Sequence, residues 1–428
     1  MTYRQKYDTF YFEKYSFDSE SGCATFEYSF DRKKLYVERV YFTKDSSADN
    51  DLLQRALKLS FILAGISYYK AYPTKTIAFR RSEDELNMTQ ATFFTEVYRD
   101  GLSQFVYENN LTPNDIASFP YSEKEESVMH HESLEHGTPI VLQSGGKDSL
   151  LLAQLLENRN TTYIPWYVRQ TANSPSVLET LASPLARIYR EIDRDALASS
   201  SDSLNGHVPI TFIMLGYATI DAVLQGTRTV ISAVGREGEE PYAYIGEYAI
   251  RHQWAKTWHA EQLFQEYVTS NVSSELRIGS PLRGFSELHI AELFVEHCWE
   301  RFGRSFSSCN VANYKQGHDN TTLSWCGNCA KCANSYLLFA PFIAKSDLDQ
   351  IIGPMFENES MVFTFKGLLS IDDVKKPFEC IGETDELRYA YRRALQNGYP
   401  ELPFDVADVV YDYKHISAHQ AWAYEMIQ

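Results

Sequence analysis

No apolar run in these 428 residues approaches the roughly 18 that a helix needs to cross a bilayer. A membrane-spanning helix is therefore excluded by the sequence. The first residues, Met1 to Phe12, lack the basic stretch and apolar core of a secretory signal, so a cytoplasmic protein is expected. Positive charge is in short supply: 40 Lys and Arg stand against 57 Asp and Glu, a formal net charge of −17. A nucleic-acid partner would demand a surplus of cations to neutralise phosphates, so none is expected. Cysteine is scarce and odd in number, at seven, which does not make a disulfide framework. Internal repeats and low-complexity tracts are absent. What is present is an ordinary globular composition, 44% hydrophobic and 23% charged, with 29 Tyr and 25 Phe to build a large core.

The pattern changes along the chain. Residues 23–42 alternate apolar and polar around Asp31-Arg32-Lys33-Lys34, which predicts a β-hairpin. A helix is expected over about 51–64, stopped by Gly65, then an extended Ile66–Tyr72, then a helix over about 90–108. These elements form an α+β N-terminal domain, residues 1–120. Residues 121–137 carry acidic residues with His130, His131 and His136; a metal role for these His is weaker than a solvated linker. Over residues 138–345, strands at 139–143, 162–168, 186–192, 229–234 and 275–279 alternate with helices at 147–157, 176–182, 208–225, 252–270 and 286–297. That alternation predicts an α/β, doubly wound parallel sheet. Residues 346–428 form a mostly helical extension.

Pro139–Gln143 is a short apolar strand, and Leu150–Leu156 continues as a helix. Between them lies Ser144-Gly145-Gly146-Lys147-Asp148-Ser149. Two glycines let backbone approach an anion, and the helix N-terminus supplies free N–H groups and a favourable dipole. Lys147 adds charge, Ser144 and Ser149 add hydroxyls, and Asp148 suits Mg²⁺ or loop bracing. The hexapeptide differs from the longer Walker loop. It resembles the PP-loop of the ATP pyrophosphatases, which implies that fold type and cleavage of ATP to AMP and pyrophosphate.

Cys326, Cys329 and Cys332 lie at x2 spacing, with sixteen residues between Cys309 and the first of them. Four thiolates suit a closed, structural tetrahedral zinc site. Packed reduced thiols, a redox pair or an iron–sulfur cluster are the other readings, and Cys309 is also a candidate proton carrier. Cys23, Cys298 and Cys380 read as ordinary buried thiols.

Further segments extend the likeness over nearly the whole length. They include Phe12–Asp18, Leu63–Ala71, Asn205-Gly206-His207-Val208-Pro209, His252–Lys256, Phe285–Leu288, Ser308-Cys309-Asn310, Trp325–Cys332 and Lys376–Glu383. In order and spacing they resemble the ATP-dependent UDP-N-acetylmuramoyl-L-alanyl-L-glutamate epimerases. One departure is the loop Ala233–Glu240, which holds Arg236 and Glu237 in an order altered from that expected. The resemblance implies a peptidoglycan-precursor enzyme that inverts the terminal L-Glu of UDP-MurNAc-L-Ala-L-Glu, using ATP and Mg²⁺. Candidates for moving the proton are His207, His252, Lys256 and Glu237; candidates for lining the substrate pocket are Tyr68, Tyr69, Lys70 and Arg236. Each also has a plain structural reading as a loop, helix start or core residue. Three alternatives stay open: a nucleobase or tRNA modifier akin to the 7-cyano-7-deazaguanine synthases, an AMP-forming amide synthetase, and a nucleotide-sensing scaffold.

Overall fold

The computed structural model describes residues 5–43, 50–123, 134, 137–171, 173–193, 203–314 and 321–428. His130, His131 and His136 lie outside the described residues. Strands β1 (Thr9–Asp18), β2 (Cys23–Phe30) and β3 (Lys34–Tyr41) form an antiparallel meander, followed by helix α1 (Asn50–Tyr69) and strand β4 (Thr76–Phe79). Helices α2 (Met88–Gly101) and α3 (Ser103–Glu108) come next. Then β5 (Ile140–Leu142), α4 (Lys147–Asn158), β6 (Ile164–Arg169), β7 (Ala186–Glu191), α5 (Ile210–Leu224) and β8 (Thr229–Ile231) alternate. A small hairpin, β9 (Ala243–Ile245) and β10 (Tyr248–Ile250), precedes α6 (Trp258–Asn271), β11 (Arg277–Gly279) and α7 (Glu287–Phe302). The chain closes with α8 (Asn310–Asn313), α9 (Ala330–Phe339), α10 (Lys345–Ile352), α11 (Val362–Leu368), α12 (Thr384–Gln396) and the short α13 (Ala421–Tyr424).

Nine strands make one sheet in the order β11-β8-β5-β6-β7-β3-β2-β1-β4. Five of them, β11 to β7, run parallel. The N-terminal strands do not form a separate sheet: β3 pairs antiparallel with β7 through Arg39–Glu191, Val40–Arg190 and Tyr41–Tyr189. A buried ion pair reinforces that seam. Arg190 Nε donates to Glu38 Oε1 at 2.8 Å, the Tyr217 hydroxyl donates to the same carboxylate, and the Arg190 guanidinium also reaches Ser67 Oγ.

Strand periodicity explains why both faces of the sheet are covered. Ile140, Trp166 and Val230 enter one core, with α1, α2, α5 and α6. Val141, Tyr167 and Ile231, one residue on, enter the other, with α4, α7, α9 and the C-terminal helices. Successive side chains in a strand point to opposite faces, so the apolar runs of β5, β6 and β8 bury on both.

Several expectations need correction. Ile66–Tyr69 is the last turn of α1, not a strand, because Gly65 does not end the helix. A Cβ at Gly65 would sit 2.6 Å from Phe12 Cε1, so glycine is there to let α1 press onto the sheet. The helix expected over 90–108 is broken at Leu102 into α2 and α3. Residues Ser176–Thr180 form only a 3-10 turn, opened by Pro175. Helix α6 starts at Trp258, where Thr257 Oγ1 accepts from Ala260 N–H; Trp254–Lys256 is a separate 3-10 turn before it. β1 was not expected at all, although its buried Phe10 and Phe12 sit two apart.

Inside α5, Asp221 is fully buried. Its Oδ2 accepts from Trp166 Nε1 and Gln225 Nε2, each at 2.8 Å, while Oδ1 has no partner among the described residues. Burial pushes this carboxyl up to about 6. The folded protein therefore holds a proton that the unfolded chain has released, and stability falls as pH rises from about 4 to 6. At 1.36 kcal/mol per unit the group costs about 3 kcal/mol above pH 6. Asp221→Asn is expected to raise Tm at pH 8 and leave it nearly unchanged at pH 4. A denaturation series over pH checks this; equal effects at both pH values would contradict it.

Candidate active site

In the parallel part of the sheet, β5 is flanked by β6 on one side and β8 on the other. α4 leaves β5 on one face, whereas α5 leads into β8 from the other. The crevice beyond the carboxyl ends of β5 and β8 is thus a topological switch point, where open α/β sheets bind ligands. The hexapeptide Ser144–Ser149 lies there. Gly145 has φ +80°, a conformation that favours glycine, and an added Cβ would meet Leu323 Cδ1 at 2.6 Å. Gly146 is the N-cap of α4. The loop braces itself: Ser144 N–H donates to Ser149 Oγ at 3.2 Å, and Ser149 Oγ donates to Gly146 O at 3.2 Å. A helix N-terminus leaves its first N–H groups without intrahelical acceptors, an arrangement suited to an anion.

Lys147 is buried, with Nζ 2.6 Å from both Asp148 Oδ1 and Glu287 Oε2. Burial opposes its charge, but the two carboxylates outweigh that and hold it protonated. Burial pushes Glu287, the first residue of α7, upward, and the Lys147 ammonium opposes that shift. Its Oε1 has no partner among the described residues.

A cavity of about 450 Å³ opens beside this loop. Ser144, Gly146, Asp148 and Ser149 line it, with Lys256 and Glu237 on another wall and Ser308, Asn310 and Lys331 on a third. Lys256 Nζ lies 2.9 Å from Glu237 Oε1. That pair holds Glu237 down at about 2 and Lys256 well above the usual lysine range, so both are charged. Arg283 fixes the two backbones: its guanidinium donates to Gly235 O at 2.8 Å and to Lys256 O at 2.7 Å, and is anchored by Glu261.

The other expected residues lie elsewhere. His207 and His252 lie with ring centres 4.7 Å apart and ring planes tilted by 41°, and are not part of the cavity wall. His252 Nδ1 is 2.6 Å from Gln104 Oε1. Burial pushes His207 down to about 4 and His252 to about 2, so both rings are neutral at pH 7. Tyr68 and Tyr69 are fully buried in the core beneath the N-terminal strands, because the segment is helix rather than strand. Lys70 caps that region, donating to Asn205 Oδ1 at 2.5 Å and Gly206 O at 2.8 Å. Arg236 points to the C-terminal segment, where it donates to the Tyr411 hydroxyl and lies 3.7 Å from Glu383. None of these four faces the cavity.

The four expected cysteines do converge. Cys309, Cys326, Cys329 and Cys332 place their sulfurs within 4.8 Å of one another. Four thiolates at metal–sulfur distances of about 2.3 Å around a tetrahedron would have sulfur–sulfur edges of about 3.8 Å. The edges Cys309–Cys329, Cys326–Cys332 and Cys329–Cys332 are 3.7, 3.8 and 3.5 Å. The donor set and spacing therefore fit a structural metal. Cys309 caps α8 and Cys329 caps α9, so the cluster ties together the segments that present Ser308, Asn310 and Lys331 to the cavity.

Sequence reasoning missed Gln143, Glu287, Lys331 and Cys380. Cys380 is not a plain packed thiol: it lines the cavity. Nothing in local spacing marks it, since it arrives from about 230 residues beyond the phosphate loop.

An α/β chain with a glycine loop at a switch point, opening on a cavity with charged walls, has the build of an enzyme. Comparison with known proteins narrows this. The family model for the MurL N-terminal domain matches residues 1–280, and that for the MurL C-terminal domain matches residues 305–422. The chain belongs to the MurL family. A relative from Xanthomonas oryzae pv. oryzae is 29% identical over 90% of this chain and 86% of its own length. One from Salinispora tropica is 28% identical over 93% of this chain and 88% of its own. Both are named UDP-N-acetyl-alpha-D-muramoyl-L-alanyl-L-glutamate epimerase, as is a Micromonospora relative at 29%.

Proposed function

We propose that this chain converts the terminal L-Glu of UDP-MurNAc-L-Ala-L-Glu to D-Glu in the cytoplasm, through an acyl-adenylate, and releases AMP and pyrophosphate. The carrying observation is the self-braced loop Ser144–Ser149 at the switch point, opening onto one cavity with Lys256 and Glu237, in a chain aligned with epimerases over about nine-tenths of its length. The strand order β11-β8-β5-β6-β7 and the hexapeptide support a PP-loop type of nucleotide domain.

The chemistry calls for ATP. The α-proton beside an ionised carboxylate is very weakly acidic, because the carbanion would sit next to a negative charge. Adenylation removes that charge and lets the carbonyl accept electron density as an enolate. The loop N–H groups and Lys147 stabilise the leaving pyrophosphate. Lys256 and Lys331, on the cavity wall, provide positive potential for the adenylated carboxyl and its enolate. Asp148, on the wall, is the carboxylate suited to hold Mg²⁺, which would neutralise phosphate charge. Zinc suits the four thiolates as a structural ion away from the chemistry.

The test supplies ATP, Mg²⁺ and UDP-MurNAc-L-Ala-L-Glu and reads AMP together with Glu chirality after acid hydrolysis. The expected result is AMP and D-Glu appearing together. AMP without D-Glu would point to an AMP-forming amide synthetase instead, and absence of both would sink the reading.

A further inference from the structure

Cys380 stands among polar groups at the cavity wall. Gln253 Nε2 donates to its Sγ at 2.6 Å, and Lys256 Nζ lies 3.7 Å away. Lys331, from the cysteine-cluster segment, donates to the Cys380 carbonyl and so fixes that backbone. The space in front is built for a ligand. Gln143, only 7% exposed, lines the same cavity, and both its carboxamide atoms lack a partner among the described residues. A donor and an acceptor buried together without partners are costly unless a bound molecule satisfies them.

Two titratable groups nearby, Glu237 and Lys256, are poorly suited to returning a proton to carbon. Glu237 is ion-paired and carries none at neutral pH. Lys256 has one but is held to Glu237, and giving it up would leave that carboxylate buried without its partner. The thiol differs. Burial raises Cys380, against the pull of Lys256 and Lys331, so it rests protonated. Once it loses its proton, the sulfur has an ammonium and an amide N–H beside it to stabilise the thiolate.

We propose that Cys380 is the catalytic acid that delivers the proton to the α-carbon, with Lys256 and Gln253 as positioning residues that stabilise the resulting thiolate. The step rests on the epimerase reading above. The enolate carbon takes the proton, the S–H bond breaks as the C–H bond forms, and the carbonyl re-forms from the enolate. The thiolate is reprotonated from solvent after product leaves.

Cys380→Ala and Cys380→Ser are assayed with ATP and UDP-MurNAc-L-Ala-L-Glu in D₂O. Three signals are read: substrate-dependent exchange of labelled pyrophosphate into ATP, deuterium at the α-carbon, and D-Glu. The expected result is D-Glu reduced about 10³-fold, pyrophosphate exchange within about threefold of the parent, and deuterium still entering the recovered L-substrate, because removal of the L-face proton is the work of a group other than Cys380. D-Glu within tenfold of the parent overturns the proposal. So does loss of deuterium entry with pyrophosphate exchange intact, which would make Cys380 the base, and so does joint loss of all three signals in soluble variants, which would make it structural. If the unmodified protein itself shows no pyrophosphate exchange, the adenylation reading has failed rather than the assignment of Cys380.

If both variants fail to fold, alkylation of the unmodified protein by iodoacetamide decides the matter, followed at Cys380 by mass spectrometry. Protection of Cys380 by ATP plus substrate supports the proposal. Labelling unaffected by substrate overturns it.

Discussion

Lys147→Met is expected to lower AMP formation by about 10³-fold, the scale of losing a preorganised charge at a leaving group. The same change will also cost stability, and the two effects can be separated. Lys147 is buried between Asp148 and Glu287, both at 2.6 Å. Removing it leaves Glu287, 2% exposed, without its counter-charge. Breaking a buried pair from one side typically costs about 3–5 kcal/mol. Glu287→Gln in the Lys147→Met background removes the orphaned charge, so the double variant should recover most of the lost Tm and none of the lost activity. Denaturation and AMP assays on the single and double variants check both parts. Recovery of activity along with stability would mean that Lys147 is only structural.

The second large effect concerns the four-cysteine cluster. Cys332→Ser should abolish stoichiometric zinc, lower Tm by about 10 °C or more, and suppress AMP formation. Cys332 is fully buried in the first turn of α9, and Cys309 sits at the start of α8. Without a metal, the thiolates take up protons and the two segments lose their common anchor. Those segments carry Ser308, Asn310 and Lys331, so the cavity wall loosens with them. Metal analysis by plasma mass spectrometry and a thermal melt are sufficient. Full activity and an unchanged melt after chelation would show that the thiols pack without a metal.

The placement of the glycine loop Ser144–Ser149 between a strand and a helix, and the convergence of the cysteines, were legible in the sequence because both are local. A strand, two glycines and a helix start fall within about ten residues, and three of the four thiols lie within seven. Spacing along the chain then equals spacing in the fold. The parallel strands were legible for the same reason, as short apolar runs separated by helical periods. What was missed depends on long-range packing. Ile66–Tyr69 looks extended from its aromatic content, but Gly65 lets the helix run on against Phe12. The pairing of β3 with β7 joins residues about 150 apart and leaves no local signature. His207 and His252 were good candidates by residue type, yet the fold places them behind the wall that Lys256 forms. Cys380 reaches the cavity on a distant segment held by several long-range bonds, among them that of Lys331, next to the cysteine cluster, to its carbonyl.

The sharpest test of carboxylate activation uses UDP-MurNAc-L-Ala-L-Glu carrying ¹⁸O in the α-carboxylate of Glu. If the carboxylate attacks the α-phosphorus of ATP and water later opens the mixed anhydride at carbon, one labelled oxygen leaves with the nucleotide. Mass spectrometry should find one ¹⁸O in each AMP released, in step with D-Glu. D-Glu formed with unlabelled AMP, or with ADP in its place, would contradict the acyl-adenylate.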